Sequence, residues 1–178
     1  MTNERTLWGI HMEWDDSTGP QETKDIAIGW NELEDLNALP PLRDAFKAAF
    51  IDAYPTEKAG AVLVKAGVLF RFAKVINLGD VVVYPSKRDK LVNIGIVAGS
   101  YTYSPSVNPD YPHRRAVEWK VHAPRAQFSQ QALYEIGSAI TLFQVTNKAE
   151  EFLAALEGQP FEAADVDATS AVETAVQA

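Results

Sequence analysis

Short segments rich in β-branched and other apolar residues recur along this chain, and glycine, proline, serine and asparagine separate them. Residues of the first kind favour strands, and residues of the second kind favour turns. The three most regular segments lie close together, at residues 80–84, 92–97 and 116–121. We expect them to be neighbouring strands of one sheet. Residues 7–12 and 26–30 predict two earlier strands, joined by a turn at residues 15–20.

Helices are predicted between and after these strands. Residues 42–54 place apolar side chains at helical spacing, with Pro40 and Pro41 before them and Pro55 after them, which indicates an amphipathic helix. Three further helices are predicted at residues 68–76, 129–136 and 148–156. A last strand is predicted at residues 141–145. The sequence therefore predicts an α+β fold, with a curved β-sheet or a small barrel and helices packed outside.

The formal net charge of −8 is unevenly distributed. Residues 159–178 carry four acidic and no basic residues and lack a sustained apolar pattern, as is typical of a disordered tail or a linker. Residues 87–125 carry seven basic and three acidic residues, a local charge of +4. We therefore predict one domain over residues 1–158, with a basic stripe suited to selective contact with phosphates. The alternative is that these bases form an ordinary solvated face.

The 178-residue chain contains no cysteine, which excludes disulfides, thiolate metal sites and cysteine nucleophiles. Charged residues interrupt each apolar stretch before it reaches the length of a membrane span. The first residues show no pattern of a signal peptide. We expect a cytoplasmic protein with no membrane partner.

Five motifs follow one another through the chain, namely Gly29-Trp30 and residues 66–72, 79–83, 99–103 and 113–119. Together with the segment after Pro124, their order and spacing resemble the N-terminal module of Mrr-type restriction endonucleases, a PUA/EVE-like domain. The resemblance extends over residues 7–156. It implies a module that recognises double-stranded DNA carrying a methylated or hydroxymethylated base. Such a module targets a modification-dependent (type IV) restriction system in antiviral defence.

The same resemblance implies that a nuclease domain, fused or supplied by a partner, would cut the DNA. The module itself would need no cofactor, and Mg²⁺ would be needed only with a nuclease domain in a longer parent protein. Two alternatives stay open. Glu118 and Lys120 have the spacing of a nuclease motif in which carboxylates hold Mg²⁺ and the lysine polarises water, and Asp110 lies upstream. The other alternative is a sensor of RNA modification or of nucleotides on the same fold.

Reading one base of a duplex requires lifting it from the stack and enclosing it between flat side chains. The candidate walls of such a base pocket are Trp8, Trp30, Tyr101, Tyr103 and Tyr111. Trp30 is the strongest candidate, because it ends an apolar strand and opens a polar loop. An aromatic residue near a strand can instead belong to the core, and we expect this of Trp119.

Six basic side chains are candidates for contact with the DNA backbone, namely Lys87, Arg88, Lys90, His113, Arg114 and Arg115. Arg114 and Arg115 are adjacent on a predicted strand, so their side chains point to opposite faces. We expect one to bind phosphate and the other to support the fold through a carboxylate or a carbonyl group. No catalytic residue and no metal ligand is predicted in the module, since the three histidines show no metal-ligand spacing.

Overall fold

A mixed β-sheet forms the centre of the protein. The computed structural model describes residues 5–12 and 24–158. The strands in these ranges are β1 Leu7–Ile10, β2 Asp25–Ile28, β3 Val81–Pro85, β4 Leu91–Tyr103, β5 His113–Pro124 and β6 Leu142–Gln144. They form a six-stranded sheet in the order β2-β5-β4-β3-β1-β6. β1 runs parallel to β3, and the other neighbouring pairs are antiparallel.

Four α-helices accompany the sheet in the described part of the chain. They are α1 Arg43–Ala53, α2 Ala59–Phe70, α3 Gln130–Ile136 and α4 Ala149–Leu156. α2 continues directly into a π-helical segment, Arg71–Val75. Among the described helices, none has the length and apolar character needed to cross a membrane. The predicted α+β class is confirmed.

Most predicted elements are present, with shifted ends. The helices predicted at residues 42–54, 129–136 and 148–156 correspond to α1, α3 and α4. The helix predicted at residues 68–76 is wrong at its start, because α2 begins at Ala59 and its exposed Leu63 and Val64 obscure the apolar face.

The long central strands also extend beyond their predicted limits. β4 and β5 span 13 and 12 residues, whereas the sequence predicts six residues for each. Both strands continue through polar residues at their ends, where hydrogen bonds to the neighbouring strand outweigh the loss of the apolar pattern. The turn predicted at residues 15–20 and the tail predicted at residues 159–178 lie outside the described residues.

The sheet is open and curved. Within the described residues, β2 and β6 are its two edges. The Ala27 amide of β2 nevertheless lies 3.4 Å from the sulfur of Met12, just beyond the end of β1. Because β1 is adjacent to the opposite edge strand, this contact requires the two edges to approach each other without pairing. The described part of the chain therefore forms a curved open sheet rather than a closed barrel.

Apolar side chains cover both faces of the sheet. Alternation along β3 sends Val82 to one face and Val81 and Val83 to the other. α1 and α2 cover the first face, and α3 and α4 cover the second. Each face thus has its own core, and the sheet is buried between two layers of helices.

Because of a bulge, β5 contributes side chains to both cores. Ile94 pairs with Val121, and the next residue of β4, Gly95, pairs with Trp119. Lys120 therefore has no partner across the ladder, and this extra residue reverses the alternation of side chains. Trp119 packs against the first core and Val121 against the second.

Gly95 is required where the bulge brings the strands together. A Cβ there would lie 2.6 Å from Val117 Cγ1 and 2.8 Å from the Glu118 carbonyl oxygen. We expect Gly95→Ala to lower the free energy of unfolding by about 1–3 kcal/mol, measured by urea denaturation. Gly60→Ala is the matched control, since a Cβ there meets no atom within 4 Å and alanine favours the helix by about 1 kcal/mol. Equal effects of the two substitutions would contradict this account.

Candidate functional site

A cavity of about 410 Å³ opens where the two edges of the sheet approach each other. The ends of β1 and β2, the segment between α3 and β6, and the loops before β4 and β5 contribute to its wall. The lining residues are His11, Met12, Ala27, Ile28, Gly29, Trp30, Lys87, Tyr111, Gly137, Ser138, Ala139 and Thr141. We call it the edge cavity.

Trp30 lines the edge cavity from a strained backbone conformation. Its φ angle is 59°, in the left-handed region that bulky residues rarely adopt. Its carbonyl oxygen accepts hydrogen bonds from the Leu33 amide at 3.1 Å and from His113 Nε2 at 3.2 Å. Such strain persists only where surrounding contacts enforce it, and it is concentrated at functional sites. Hydrogen bonds thus fix the backbone of Trp30, and its half-buried indole lies at the cavity.

A chain of buried hydrogen bonds supports this conformation. Burial lowers the pKa of His113, so the ring is neutral at neutral pH. The Trp30 carbonyl can only accept, so Nε2 carries the ring proton and Nδ1 is the acceptor. The Tyr101 hydroxyl donates to Nδ1 at 2.7 Å, and its oxygen accepts from the Leu36 amide at 3.0 Å. His113 and Tyr101 thus hold the wall of the cavity from behind.

Tyr111 is the second aromatic residue of the edge cavity. Its half-buried ring lies beside Gly29, where a Cβ would come within 3.8 Å of Tyr111 Cε1. Its carbonyl oxygen accepts a hydrogen bond of 2.9 Å from Arg114. Arg114 also binds both carboxylate oxygens of Asp25, at 2.7 and 3.1 Å. This bidentate ion pair ties the Tyr111 loop to edge strand β2.

Arg115 points to the opposite face and supports the π-helical segment. Its guanidinium donates to the carbonyl oxygens of Phe72 at 2.8 Å, Ala73 at 3.3 Å and Gly99 at 3.0 Å. The Phe72 and Ala73 carbonyls belong to the π-helical segment, where regular α-helical pairing is interrupted.

The two arginines and His113 all lie inside the protein. Arg114 is 4% exposed, Arg115 5% and His113 0%. The opposite orientations of the arginines agree with the sequence analysis, and both side chains support the fold. The predicted contact of these three residues with DNA phosphate would require the fold to open.

The other predicted aromatic residues lie away from the edge cavity. Trp8 is buried, and its Nε1 donates to the Asp80 carboxylate at 3.0 Å. Tyr101 is buried and Tyr103 half-buried, and both rings flank His113 at centroid distances of 5.8 and 5.7 Å. Of the five predicted walls, the structure brings Trp30 and Tyr111 together at one cavity.

A second cavity of about 320 Å³ adjoins the edge cavity. The two share His11, Lys87 and Gly137. Lys90 and Arg125 also line the second cavity, and no acidic residue is among the lining residues in the described part of the chain. We call it the basic cavity. Two of the candidates for contact with the DNA backbone, Lys87 and Lys90, thus lie in the basic cavity. The exposed Arg88 lines neither cavity.

The residues of the possible nuclease motif do not form a centre. Glu118 and Lys120 are exposed and form an ion pair with each other at 3.1 Å. Glu118 lies five residues into β5, about 16 Å from its start at the usual rise of a strand, whereas Asp110 precedes β5 and its carbonyl lies beside Gly29. Among the described residues, no group of three or more His, Asp or Glu side chains could hold a metal ion.

Residues 16–146, more than half of the chain, match a protein family described as a domain of unknown function (DUF8426). The chain belongs to this family. The DUF8426 match contains five of the six described strands and all lining residues of the edge cavity except His11 and Met12. Comparison with curated proteins finds no match.

Several lining residues of the edge cavity and the basic cavity were not predicted as site residues. They are His11, Met12, Gly137, Ser138, Ala139, Thr141 and Arg125. The sequence contains a partial signal for some of them, because Gly137 ends a predicted helix and Ser138 follows it. Their meeting with Trp30 depends on the curvature of the sheet, which no local pattern specifies.

The buried state of His113 predicts a pH dependence of stability. Above about pH 6.5, the ordinary pKa of histidine, the ring is neutral in both the folded and the unfolded protein. Below it, the unfolded chain binds a proton before the buried ring does, so the free energy of unfolding falls as the pH falls. His113→Gln should remove up to about 1.4 kcal/mol per pH unit of this slope, measured by urea unfolding. Equal slopes in His113→Gln and wild type would refute the prediction.

Proposed function

We propose that this DUF8426 domain binds a modified base, flipped out of double-stranded DNA, in the edge cavity. In this proposal it is the targeting module of a modification-dependent restriction system, with a PUA/EVE-like fold. One observation carries the proposal. Trp30 and Tyr111, far apart in sequence, line a single cavity, and a cavity with three cationic side chains adjoins it.

The edge cavity has the properties of a ligand site. Its volume of about 410 Å³ lies in the usual range for small-molecule pockets, about 300–1,000 Å³. Stacking on an aromatic ring stabilises a bound base by about 1–3 kcal/mol. Because hydrogen bonds fix the Trp30 backbone in advance, little conformational entropy remains to be lost on binding.

The basic cavity offers cationic side chains for the phosphate group of a flipped nucleotide. Lys87 lines both cavities, so it can contact the phosphate of a nucleotide whose base lies in the edge cavity. Lys90 and Arg125 extend this positive surface. The net charge of −8 over the whole chain opposes indiscriminate binding to DNA, which favours a contact that needs both the base and its phosphate.

A nucleotide sensor is the second candidate, and the same pair of cavities favours it. A single nucleotide could occupy the edge cavity with its base and the basic cavity with its phosphate. The motif resemblance to restriction proteins supports DNA as the ligand. Competition between the free nucleotide and the duplex distinguishes the two candidates.

The first test uses fluorescence titration against duplexes that carry cytosine, 5-methylcytosine, 5-hydroxymethylcytosine or N6-methyladenine at one central position. We expect one modified duplex to bind at least tenfold more tightly than the unmodified duplex, about 1.4 kcal/mol. Trp30→Asn should abolish this preference, because asparagine tolerates the left-handed backbone but removes the ring. Tyr111→Ala should weaken it. Tyr134→Ala, which removes an exposed tyrosine outside both cavities, should not. Equal binding of all four duplexes by the wild-type protein would refute the proposal.

The second test measures the salt dependence of binding to the preferred duplex. Each phosphate contact contributes about one unit to the slope of log Kd against log salt concentration. We expect Lys87→Gln, Lys90→Gln and Arg125→Gln each to lower this slope by about one. Lys58→Gln is the control, since Lys58 is exposed and lines neither cavity. Unchanged slopes in all three variants would remove the basic cavity from the proposed surface.

A further inference from the structure

His11 lies in the wall that the two cavities share. It follows β1 directly, and its amide donates to the Thr141 carbonyl at 2.9 Å. Its ring packs against Phe143, with the ring centroids 5.6 Å apart. Phe143 in turn lies over Gly9, where an added Cβ would collide with its ring. The backbone and ring of His11 are therefore placed by the sheet itself and not by a mobile loop.

One atom of this ring lacks a partner. His11 Nε2 is shielded from solvent and has no hydrogen-bond partner among the residues that the structure describes. Buried polar groups in folded proteins are nearly always hydrogen-bonded, so an exception calls for an explanation. Burial lowers the pKa of His11, a hydrogen bond with the Ser138 backbone opposes this lowering, and the nearby Lys87 ammonium adds to it. The neutral ring can donate through one nitrogen and accept through the other.

Aromatic stacking alone cannot choose a base, because every base has a π face. The choice must come from polar groups that contact the edge of the base. The Ser138 and Thr141 hydroxyls line the same cavity and can each donate a hydrogen bond. Lys87 is an exposed cation shared with the basic cavity, where a phosphate would engage it. Among the described residues that line the cavity, His11 is set apart by a buried polar atom that has no partner.

We propose that His11 is the specificity-determining residue of the edge cavity, hydrogen-bonding through Nε2 to the polar edge of the bound base. This inference rests on the proposed function and names the group that selects the base. A base that enters between the aromatic side chains meets the Nε2 atom with its polar edge, while the ring keeps its place against Phe143. This hydrogen bond gives His11 Nε2 the partner that it lacks in the free protein. It forms with a base whose edge has a complementary donor or acceptor at that position and is lost with other bases.

The experiment compares wild-type protein, His11→Phe, His11→Leu and His11→Gln on the same four duplexes. We expect His11→Phe to bind DNA still but to reduce the tenfold preference to less than about threefold, since it keeps the ring shape and loses the hydrogen bond. His11→Gln, which retains a donor and an acceptor, should recover part of the preference. His122→Gln is the matched control at an exposed histidine and should keep the full preference. Thermal unfolding identifies variants that are folded, and His11→Leu replaces His11→Phe if the latter is not.

A spectroscopic measurement separates contact from indirect support. The imidazole nitrogen shifts of His11, followed by NMR during titration with the preferred duplex, should change on binding, whereas those of His122 should stay constant. If a folded His11→Phe or His11→Leu variant keeps the wild-type preference, the inference is overturned while the proposed function stands. If wild-type protein binds all four duplexes alike, the proposed function and this inference fail together.

Discussion

The cavity depends on a buried histidine that supports a strained tryptophan from 83 positions away in the sequence. His113 donates to the Trp30 carbonyl through Nε2, and in the neutral ring that burial favours, Nδ1 accepts from the Tyr101 hydroxyl. The Leu36 amide anchors the hydroxyl in turn. One chain of hydrogen bonds thus joins β4, β5 and the loop after β2, and it decides where the indole ring lies.

The two adjacent arginines, Arg114 and Arg115, each stabilise a different part of the fold around this chain of hydrogen bonds. Arg114 ties β2 and the Tyr111 loop through Asp25, while Arg115 serves carbonyl groups of the π-helical segment on the other side. Each guanidinium is buried with hydrogen-bond partners that match its planar geometry, which is the arrangement in which arginine differs most from lysine. The basic stripe seen in the sequence therefore has two parts. Its arginines on β5 are internal, and the lysines before β4, with Arg125, are external.

Local patterns in the sequence were sufficient for the class of the fold and for most of its elements. Proline stops and apolar spacing located α1, and the serine cap and Gly137 located α3. They were insufficient where tertiary structure decides. The start of α2 was missed because Leu63 and Val64 face solvent, and the fate of Arg114 and Arg115 depends on partners from distant elements. Trp30 and Tyr111 could be named from sequence, but their meeting with His11 follows from the curvature of the sheet.

The incomplete closure of the sheet has a thermodynamic consequence. The edge cavity is bounded on one side by the end of β2 and on the other by residues next to β1 and β6. A molecule that fills this cavity contacts residues next to both edges of the sheet, at β2 and at β6. A ligand that binds the folded domain and not the unfolded chain therefore raises the free energy of unfolding by an amount set by its concentration relative to Kd. At a ligand concentration of 100 times Kd, occupancy of the edge cavity would add about 2.7 kcal/mol to the free energy of unfolding.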